Sequence, residues 1–198
     1  MTQSRATIGS FALAASLMLT GVGMAHAAED YVIHEDHTWV SFTVNHAGWA
    51  DAHGMFRKVS GDIVFDKDDV SKSTVAVKID ATSLDTNSEQ RDRDMAGPDF
   101  LNSGEFPTIT FKSTEVERTG EKTGRVYGKM TMAGVTRDVV LDAKWNAEKP
   151  LPWDASTIKT GFSATTTING VDFGMNKLVE FGIGPEIHIR IDAEALKK

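Results

Sequence analysis

From about residue 30 onward, apolar and polar side chains alternate along the chain, and this period of two constrains the fold more than any other feature. Such alternation is typical of β-strands with one buried face. In residues 38–46, for example, Val40, Phe42, Val44 and His46 fall on one side of a strand. The later inward rows are Ile63 and Phe65; Val75, Val77 and Ile79; Ile109, Phe111 and Ser113; Val126, Gly128, Met130 and Met132; Val139, Leu141, Ala143 and Trp145; Phe162, Ala164, Thr166 and Ile168; and Ile187, Ile189, Ile191 and Ala193.

With an opening strand at Tyr31 and Ile33, these rows give eight or nine strands, most of them joined by short turns. Helical periodicity is scarce, so the pattern predicts an all-β antiparallel barrel or sandwich. Because a closed barrel has no exposed edge strands, we expect an eight-stranded antiparallel, lipocalin-like barrel. The interior of such a barrel is either filled by side chains or holds one small ligand, and the alternation alone does not distinguish these two cases.

Two stretches depart from the alternation. Residues 83–106 are charged and are interrupted by Gly97-Pro98, which predicts a long crossing connection that forms a lid over one end of the barrel. We expect a short helix over residues 89–95, capped by Asp85, Thr86 or Asn87. Residues 147–159, with two prolines, predict a second irregular connection.

The first 27 residues have the order of an export signal. A single cation, Arg5, precedes an apolar stretch from Ile8 to Met24, and the small-x-small triplet Ala25-His26-Ala27 follows. The stretch contains Ser, Thr and Gly and is shorter than the ~20 apolar residues that a spanning helix needs. We therefore expect a cleaved signal peptide over residues 1–27, a mature domain over residues 28–198 and a location in the periplasm.

Charge and cysteine content exclude several classes of function. The chain has 21 Lys and Arg against 28 Asp and Glu, a formal net charge of −7, and an acidic surface repels phosphate backbones. Nucleic acid is therefore not an expected partner. Cysteine is absent, which excludes disulfides, thiolate catalysis and sulfur-ligated metals.

Short motifs spread over the chain resemble those of a known family. They are residues 37–42 (HTWVSF) with His46 and Gly48, Gly54-x-Phe56, residues 61–63 (GDI), 79–80 (ID), 83–86 (SLDT), 91–92 (RD), 99–101 (DFL), 106–111 (FPTITF), 134–136 (GVT), 162–164 (FSA) and 172–175 (DFGM). Their order and spacing are similar to those of the YceI-like family, periplasmic lipocalin-like barrels associated with binding polyisoprenoids and other long-chain lipids. The resemblance covers nearly the whole of residues 28–198 and implies a lipid-binding barrel.

Two positions depart from the usual pattern of that family. Asp138 stands where a proline commonly follows the Gly-Val-Thr segment, and Gly170 stands where an arginine is frequent. If relatives hold a polar head group with this arginine, its absence favours a neutral or differently shaped ligand end. Because Asn169-Gly170 also suits a tight turn, turn chemistry is the preferred interpretation.

If the ligand is a lipid, the inward apolar side chains are the candidate binding residues. A hydrocarbon chain that enters an apolar channel gains about 0.8 kcal/mol per buried CH₂. Phenylalanines offer broad walls, methionines adapt to an irregular chain, and the small inward Gly128 and Ala164 leave room. The candidates, with Trp39 at a mouth and His46 facing a head group, are Trp39, Phe42, Val44, His46, Phe56, Phe111, Met130, Met132, Phe162, Ile168, Phe173 and Met175.

The histidines are a separate question, because His34, His37, His46 and His53 lie within 20 residues of one another. His34 and His37 are three apart in a predicted strand, which places them on opposite faces and in poor geometry for one ion. We therefore predict no metal ligands and no cofactor besides a bound lipid. A buried backbone or acidic partner is the alternative role for His46.

Nothing in the sequence requires an enzyme. Ser163 lies in a predicted strand and lacks the Gly-x-Ser-x-Gly elbow, and the paired acidic residues fall in turns or on solvent faces. Arg91, Asp92 and Asp99 are candidates for ordering the lid, and an Arg91–Asp99 ion pair is an equally good interpretation of two of them.

The prediction is a non-enzymatic periplasmic protein that holds a long-chain isoprenoid or quinone-like amphiphile in an apolar channel, for sequestration or transport. A membrane-associated donor or acceptor fits this role, and a homodimer stays open because no apolar stripe identifies an interface. Two alternatives remain: a structural or stress-related interaction protein with a filled barrel, and a histidine-metal or haem-associated protein.

Overall fold

The computed structural model describes residues 27–198, most of which lie in β-strands, so the expected signal peptide falls outside the described residues except for Ala27. The strands are β1 (Glu29–Ile33), β2 (Trp39–His46), β3 (Ala50–Phe56), β4 (Val59–Phe65), β5 (Thr74–Asp80), β6 (Leu84–Asp85), β7 (Thr108–Arg118), β8 (Thr123–Met132), β9 (Val135–Leu151), β10 (Asp154–Asn169) and β11 (Ile183–Lys197). The helices are α1 (Glu89–Ala96) and α2 (Lys177–Glu180), with 3₁₀ turns at Glu35–His37, Val70–Lys72, Ala81–Ser83 and Gly170–Phe173.

The strands form one closed antiparallel barrel. β1 and β2 both pair with β11 on one side. On their other side, β1 pairs with β4 and β2 pairs with β3, so β3 and β4 lie end to end. In the same way, β5 and β6 lie end to end beside β4 and β3. Each of these three pairs is therefore one long strand with a break. With β7 to β11 they make the eight strands of the barrel, and β1 closes it by pairing with both β4 and β11. The predicted eight-stranded antiparallel barrel is confirmed.

The two ends of the barrel differ. One end, which we call the lid end, carries the long connections at residues 86–107 and 170–182, which contain α1 and α2. The other, which we call the mouth end, carries the connections at residues 66–73, 119–122 and 152–153. The strands run up and down between these ends because each pairs with its sequence neighbours.

The lid connection contains the predicted short helix, but its cap differs from the prediction. The N-cap is Ser88, whose hydroxyl accepts a hydrogen bond from the Arg91 N–H at 3.4 Å. Thr86 instead donates its N–H and its hydroxyl to Asp92 Oδ1, at 2.8 and 2.6 Å. Arg91 donates from Nε to the Thr86 hydroxyl at 2.8 Å and forms no ion pair with Asp99, so Thr86 ties the helix to the end of β6.

The prediction of an irregular connection over residues 147–159 is wrong, because β9 and β10 form one long hairpin. A register shift between Asp154 and Ile158 leaves three residues of β10 unpaired opposite Pro150. Asp154 holds this bulge by accepting bonds from Ser156 and Thr157. The bulge accommodates a proline that has no N–H to give to the ladder.

Candidate functional site

An apolar cavity of about 290 Å³ extends along the barrel interior. Its wall is formed by aliphatic and aromatic side chains from every long strand, and it reaches from the lid end to the mouth end. The volume lies near the lower limit of pockets that hold small ligands. The barrel is therefore not filled by its own side chains.

Two aromatic rings of the cavity wall lie directly over glycines of the neighbouring strands. The Phe42 ring covers Gly54 on the neighbouring strand, where a Cβ would lie 2.3 Å from Cζ of the ring. The Phe111 ring covers Gly128 in the same way, at 2.4 Å. The expected room at Gly128 is thus taken by a ring, whereas Ala164 pairs with Ala143 and both face the cavity.

The mouth end supplies all the charged residues of the cavity wall, which are Lys67, Glu117, Arg118, Glu121 and Lys122. Arg118 joins two loops by donating to the Lys67 carbonyl oxygen at 2.5 Å and to the Glu121 carbonyl oxygen at 3.1 Å. Within residues 27–198, Lys67 and Lys122 form no ion pair with a carboxylate. Their ammonium groups are free to donate to a ligand at this end.

An aromatic cluster lies just inside the mouth. The Phe65 ring packs against Trp145 and Phe162, with centroid distances of 5.4 and 5.2 Å. The indole N–H of Trp145 donates to the buried Thr160 hydroxyl at 3.1 Å, which fixes the ring. Lys122 Nζ lies 5.4 Å from the centroid of the same indole. Trp145 therefore separates the charged mouth from the apolar interior.

At the lid end the cavity is closed by apolar side chains, namely Met95, Phe100, Leu101, Met175 and Leu178. Gly170 lies beneath α2, and a Cβ there would lie 2.5 Å from Leu178 Cδ1. A larger residue would have to displace the buried Leu178 side chain, so the packing favours glycine. Asn169 caps the 3₁₀ turn by accepting from the Val171 N–H at 2.9 Å. This agrees with the interpretation of Asn169-Gly170 as a turn.

Nine of the twelve residues predicted for the site line the cavity. They are Phe42, Val44, Phe56, Phe111, Met130, Met132, Phe162, Ile168 and Met175. The lining residues missing from the predicted set include Phe65 and Trp145, which already stood in the alternating rows, and four lid residues that carry no periodic signal, Met95, Phe100, Leu101 and Leu178.

Three predicted residues lie elsewhere. Trp39 is 54% exposed and points out of the barrel, because its neighbour Val40 takes the inward position. His46 shares the inward side of the alternation but is the last residue of β2, beyond the rim, where it is exposed and packs edge-on against Trp49. Phe173 is buried in the 3₁₀ turn at the lid end, behind the cavity wall.

The expectation that His34 and His37 lie on opposite faces is also wrong. Residues 35–37 form a 3₁₀ turn between β1 and β2, and a 3₁₀ helix places residues three apart on the same side. The two imidazole centroids are 4.7 Å apart. Both lie outside the cavity.

Two hydroxyl side chains on the outer face form hydrogen bonds with neighbouring side chains. In the described part of the chain, the Ser163 hydroxyl donates to Asp192 at 2.7 Å and accepts from Asn146 at 2.9 Å, with no histidine on it. Thr167 and His188 share a hydrogen bond of 2.9 Å on the exposed face, away from the cavity.

A closed eight-stranded barrel with an apolar interior and one polar mouth defines the class of lipocalin-like barrels. The family model described as YceI-like domain matches residues 31–195. The chain belongs to the YceI-like family. Across residues 27–198 no helix has the length and apolar character to cross a membrane.

Similar proteins agree with this assignment. A UPF0312 protein of Pseudomonas savastanoi pv. phaseolicola is 39% identical over 166 residues, which cover 83% of this chain and 85% of the relative. The crystal structure of Burkholderia cenocepacia BcnA superposes with a TM-score of 0.74 at 19% identity, over 82% of this chain and 98% of that one. A polyisoprenoid binding domain from Saccharophagus degradans, implicated in plant cell wall breakdown, superposes with a TM-score of 0.63 at 13% identity, over 85% and 98%.

Proposed function

We propose that this protein binds a long-chain isoprenoid or quinone-like amphiphile, with the tail along the cavity and the polar head at the mouth end. The observation that carries the proposal is the segregation of the cavity wall. Every charged residue of the wall lies at one end, and the remainder of the wall is almost entirely apolar. This is the distribution that an amphiphile with one polar end requires.

The cavity provides enough binding energy for a hydrocarbon tail. Each CH₂ group that leaves water contributes about 0.8 kcal/mol, so about ten buried groups contribute about 8 kcal/mol. Loss of rotational and translational freedom on association costs about 4–15 kcal/mol. A ligand must therefore bury many CH₂ groups to bind tightly, which favours a long tail. Met130, Met132 and Met175 line the wall with flexible side chains that follow the methyl branches of such a tail.

The mouth selects for a head group that accepts hydrogen bonds. Lys67 and Lys122 offer ammonium donors, and Arg118 holds the loops that carry them. Quinone carbonyls and phosphate oxygens both accept such bonds. The sealed lid end offers only apolar contacts, so the ligand enters head-last through the mouth and leaves its head there.

Membership in the YceI-like family and the fold shared with a polyisoprenoid binding domain support this proposal. The signal-like N-terminus supports a further part of it, that the protein acts in the periplasm to sequester or transport the lipid without catalysis. Transport would require exchange with a membrane-associated donor or acceptor. The open cavity disfavours the alternative of a filled structural barrel.

Intrinsic fluorescence tests the proposal because only one of the four tryptophans lies at the cavity. Trp39, Trp49 and Trp153 are exposed, whereas Trp145 lines the wall. We expect delipidated protein titrated with ubiquinone to show saturable quenching, and Trp145→Phe to lose most of that quenching while it still binds. Saturable quenching that persists in Trp145→Phe would place the ligand elsewhere, and absence of binding by ubiquinone and geranylgeraniol alike would refute the proposal.

A further inference from the structure

Outside the barrel, three potential metal ligands meet where β1 gives way to β2. His34 precedes the 3₁₀ turn Glu35–His37, His37 ends it, and Glu194 lies on the adjacent β11. One ligand atom from each residue lies within 4.8 Å of the other two. His37 Nδ1 and Glu194 Oε2 are 3.8 Å apart.

The backbone holds these residues in place. The His34 N–H donates to the Glu194 carbonyl oxygen at 2.8 Å, and the His37 N–H donates to the His34 carbonyl oxygen at 3.1 Å. The Thr38 hydroxyl adds a bond to the His34 carbonyl oxygen at 3.0 Å. The cluster therefore belongs to a defined break in the barrel wall and is not a chance meeting of mobile side chains.

A second observation points to an absent ligand. His34 Nδ1 is buried and has no hydrogen-bond partner, and it is the sole side-chain nitrogen or oxygen in this condition among residues 27–198. Buried polar atoms in native proteins are nearly always paired. In the tautomer that carries its proton on Nε2, this nitrogen has a lone pair that no protein group uses, and such a lone pair can bind a metal ion.

We propose that His34, His37 and Glu194 bind one divalent transition-metal ion, with Zn²⁺ as the best-fitting class. Two imidazoles and one carboxylate are a usual zinc ligand set, and a fourth position stays open for water. Ligand atoms around a tetrahedral zinc lie about 3.4 Å apart, so separations of up to 4.8 Å must contract by up to about 1.4 Å. The side chains of His37 and Glu194 can move to supply this contraction, because both are partly exposed.

Lys159 is the competitor of the metal at this site. Its ammonium lies 2.6 Å from Glu194 Oε2, the same oxygen that faces His37. Metal binding must displace this cation from the carboxylate. Removal of the Lys159 charge is therefore expected to strengthen metal binding. If Glu194 served only to pair with Lys159, the same substitution would not change the affinity for a metal ion.

The site is independent of the lipid cavity but adjacent to its wall. His34 follows Ile33 and Glu194 follows Ala193, and both of these neighbours line the cavity. A bound ion would join the break between β1 and β2 to β11. We therefore expect Zn²⁺ to raise the melting temperature of the delipidated protein.

The test is calorimetric titration of Zn²⁺ into tag-free, metal-free protein at neutral pH. We expect one ion per chain in the wild type and affinity reduced by at least about tenfold in His37→Ala and Glu194→Gln, because even outer residues of metal sites contribute 10–100-fold. Lys159→Met is expected to bind severalfold more tightly. His53→Ala, which removes an exposed histidine elsewhere, is the matched control and should bind as the wild type does.

Circular dichroism of each variant checks that it is folded. His37 and Glu194 are partly exposed, so both substitutions should leave the barrel intact. Absence of stoichiometric binding to the wild type, or equal affinity in the wild type, His37→Ala and Glu194→Gln, would overturn the proposal. A loss in His53→Ala equal to that in His37→Ala would overturn it too, since the ion would then lie elsewhere.

Discussion

Replacement of Ala164 by phenylalanine distinguishes an open barrel from a filled one by the sign of its effect on stability. Ala164 faces the cavity between Ala143 and Ile191, its register partners on the two neighbouring strands. A phenyl group added there enters a void of about 290 Å³. The matched control is Thr165→Phe, since the next residue of the same strand is exposed on the outer face.

The expected magnitudes follow from burial. Filling a cavity commonly stabilises a protein by about 0.5–2 kcal/mol, whereas overpacking a filled core costs about 1–3 kcal/mol. For a domain of this size each kcal/mol shifts the melting temperature by about 2–4 °C, so we expect Ala164→Phe to melt about 1–8 °C higher than the wild type. The exposed control should change the stability by less than about 0.5 kcal/mol.

The same ring should block the ligand. If it displaces two CH₂ groups of the tail, binding loses about 1.6 kcal/mol, which is slightly more than tenfold in affinity. Thermal unfolding and ubiquinone titration of both variants test the two effects on the same samples. An Ala164→Phe protein that is destabilised by 1 kcal/mol or more and that binds ubiquinone as tightly as the wild type would refute the reasoning.

Three further predictions concern the lid and the surface charges. Gly170→Ala should destabilise the barrel by about 1–3 kcal/mol in urea unfolding, because its Cβ would lie 2.5 Å from Leu178 Cδ1; unchanged stability would contradict the packing of the lid. Asp92→Ala removes the acceptor of the two bonds that hold α1 to the end of β6 and leaves the buried Thr86 without that partner, so it should lower the free energy of unfolding in urea by about 1–3 kcal/mol; unchanged stability would show that these bonds do not fix the segment. The hydrogen bond from Lys197 lowers the pKa of Glu29. The stabilisation from this bond is therefore complete above the ordinary pKa of about 4.3 and is lost as the pH falls through the lowered pKa. The melting temperature of Lys197→Gln should depend less on pH across this range than that of the wild type, and an equal dependence would contradict this role of the bond.

The alternation of side chains was sufficient to predict the barrel and most of the cavity wall. A strand exposes every second residue to the same side, so rows such as Val126 to Met132 and Phe162 to Ile168 could be assigned inward without a structure. The alternation also identified Trp145 as inward. What it could not show was that rings would lie flat on Gly54 and Gly128, because that depends on contacts between neighbouring strands.

The alternation gave wrong predictions at positions where strands end or break. It placed His46 inside the barrel, although β2 ends there and no opposite wall remains. It predicted that His34 and His37 lie on opposite faces of one strand. The 3₁₀ turn between β1 and β2 instead places residues three apart on the same side. The lid residues Phe100 and Leu101 lie in a connection without periodicity, so only the fold shows that they close the cavity.

Native mass spectrometry of the protein purified from its own source shows directly whether the barrel holds a lipid. Organic extraction then identifies the molecule that is released. We predict one long-chain isoprenoid or quinone-like molecule per barrel, which is lost in Ala164→Phe but not in Thr165→Phe. A wild-type barrel that is isolated empty, and that stays empty after incubation with ubiquinone and geranylgeraniol, would contradict the account.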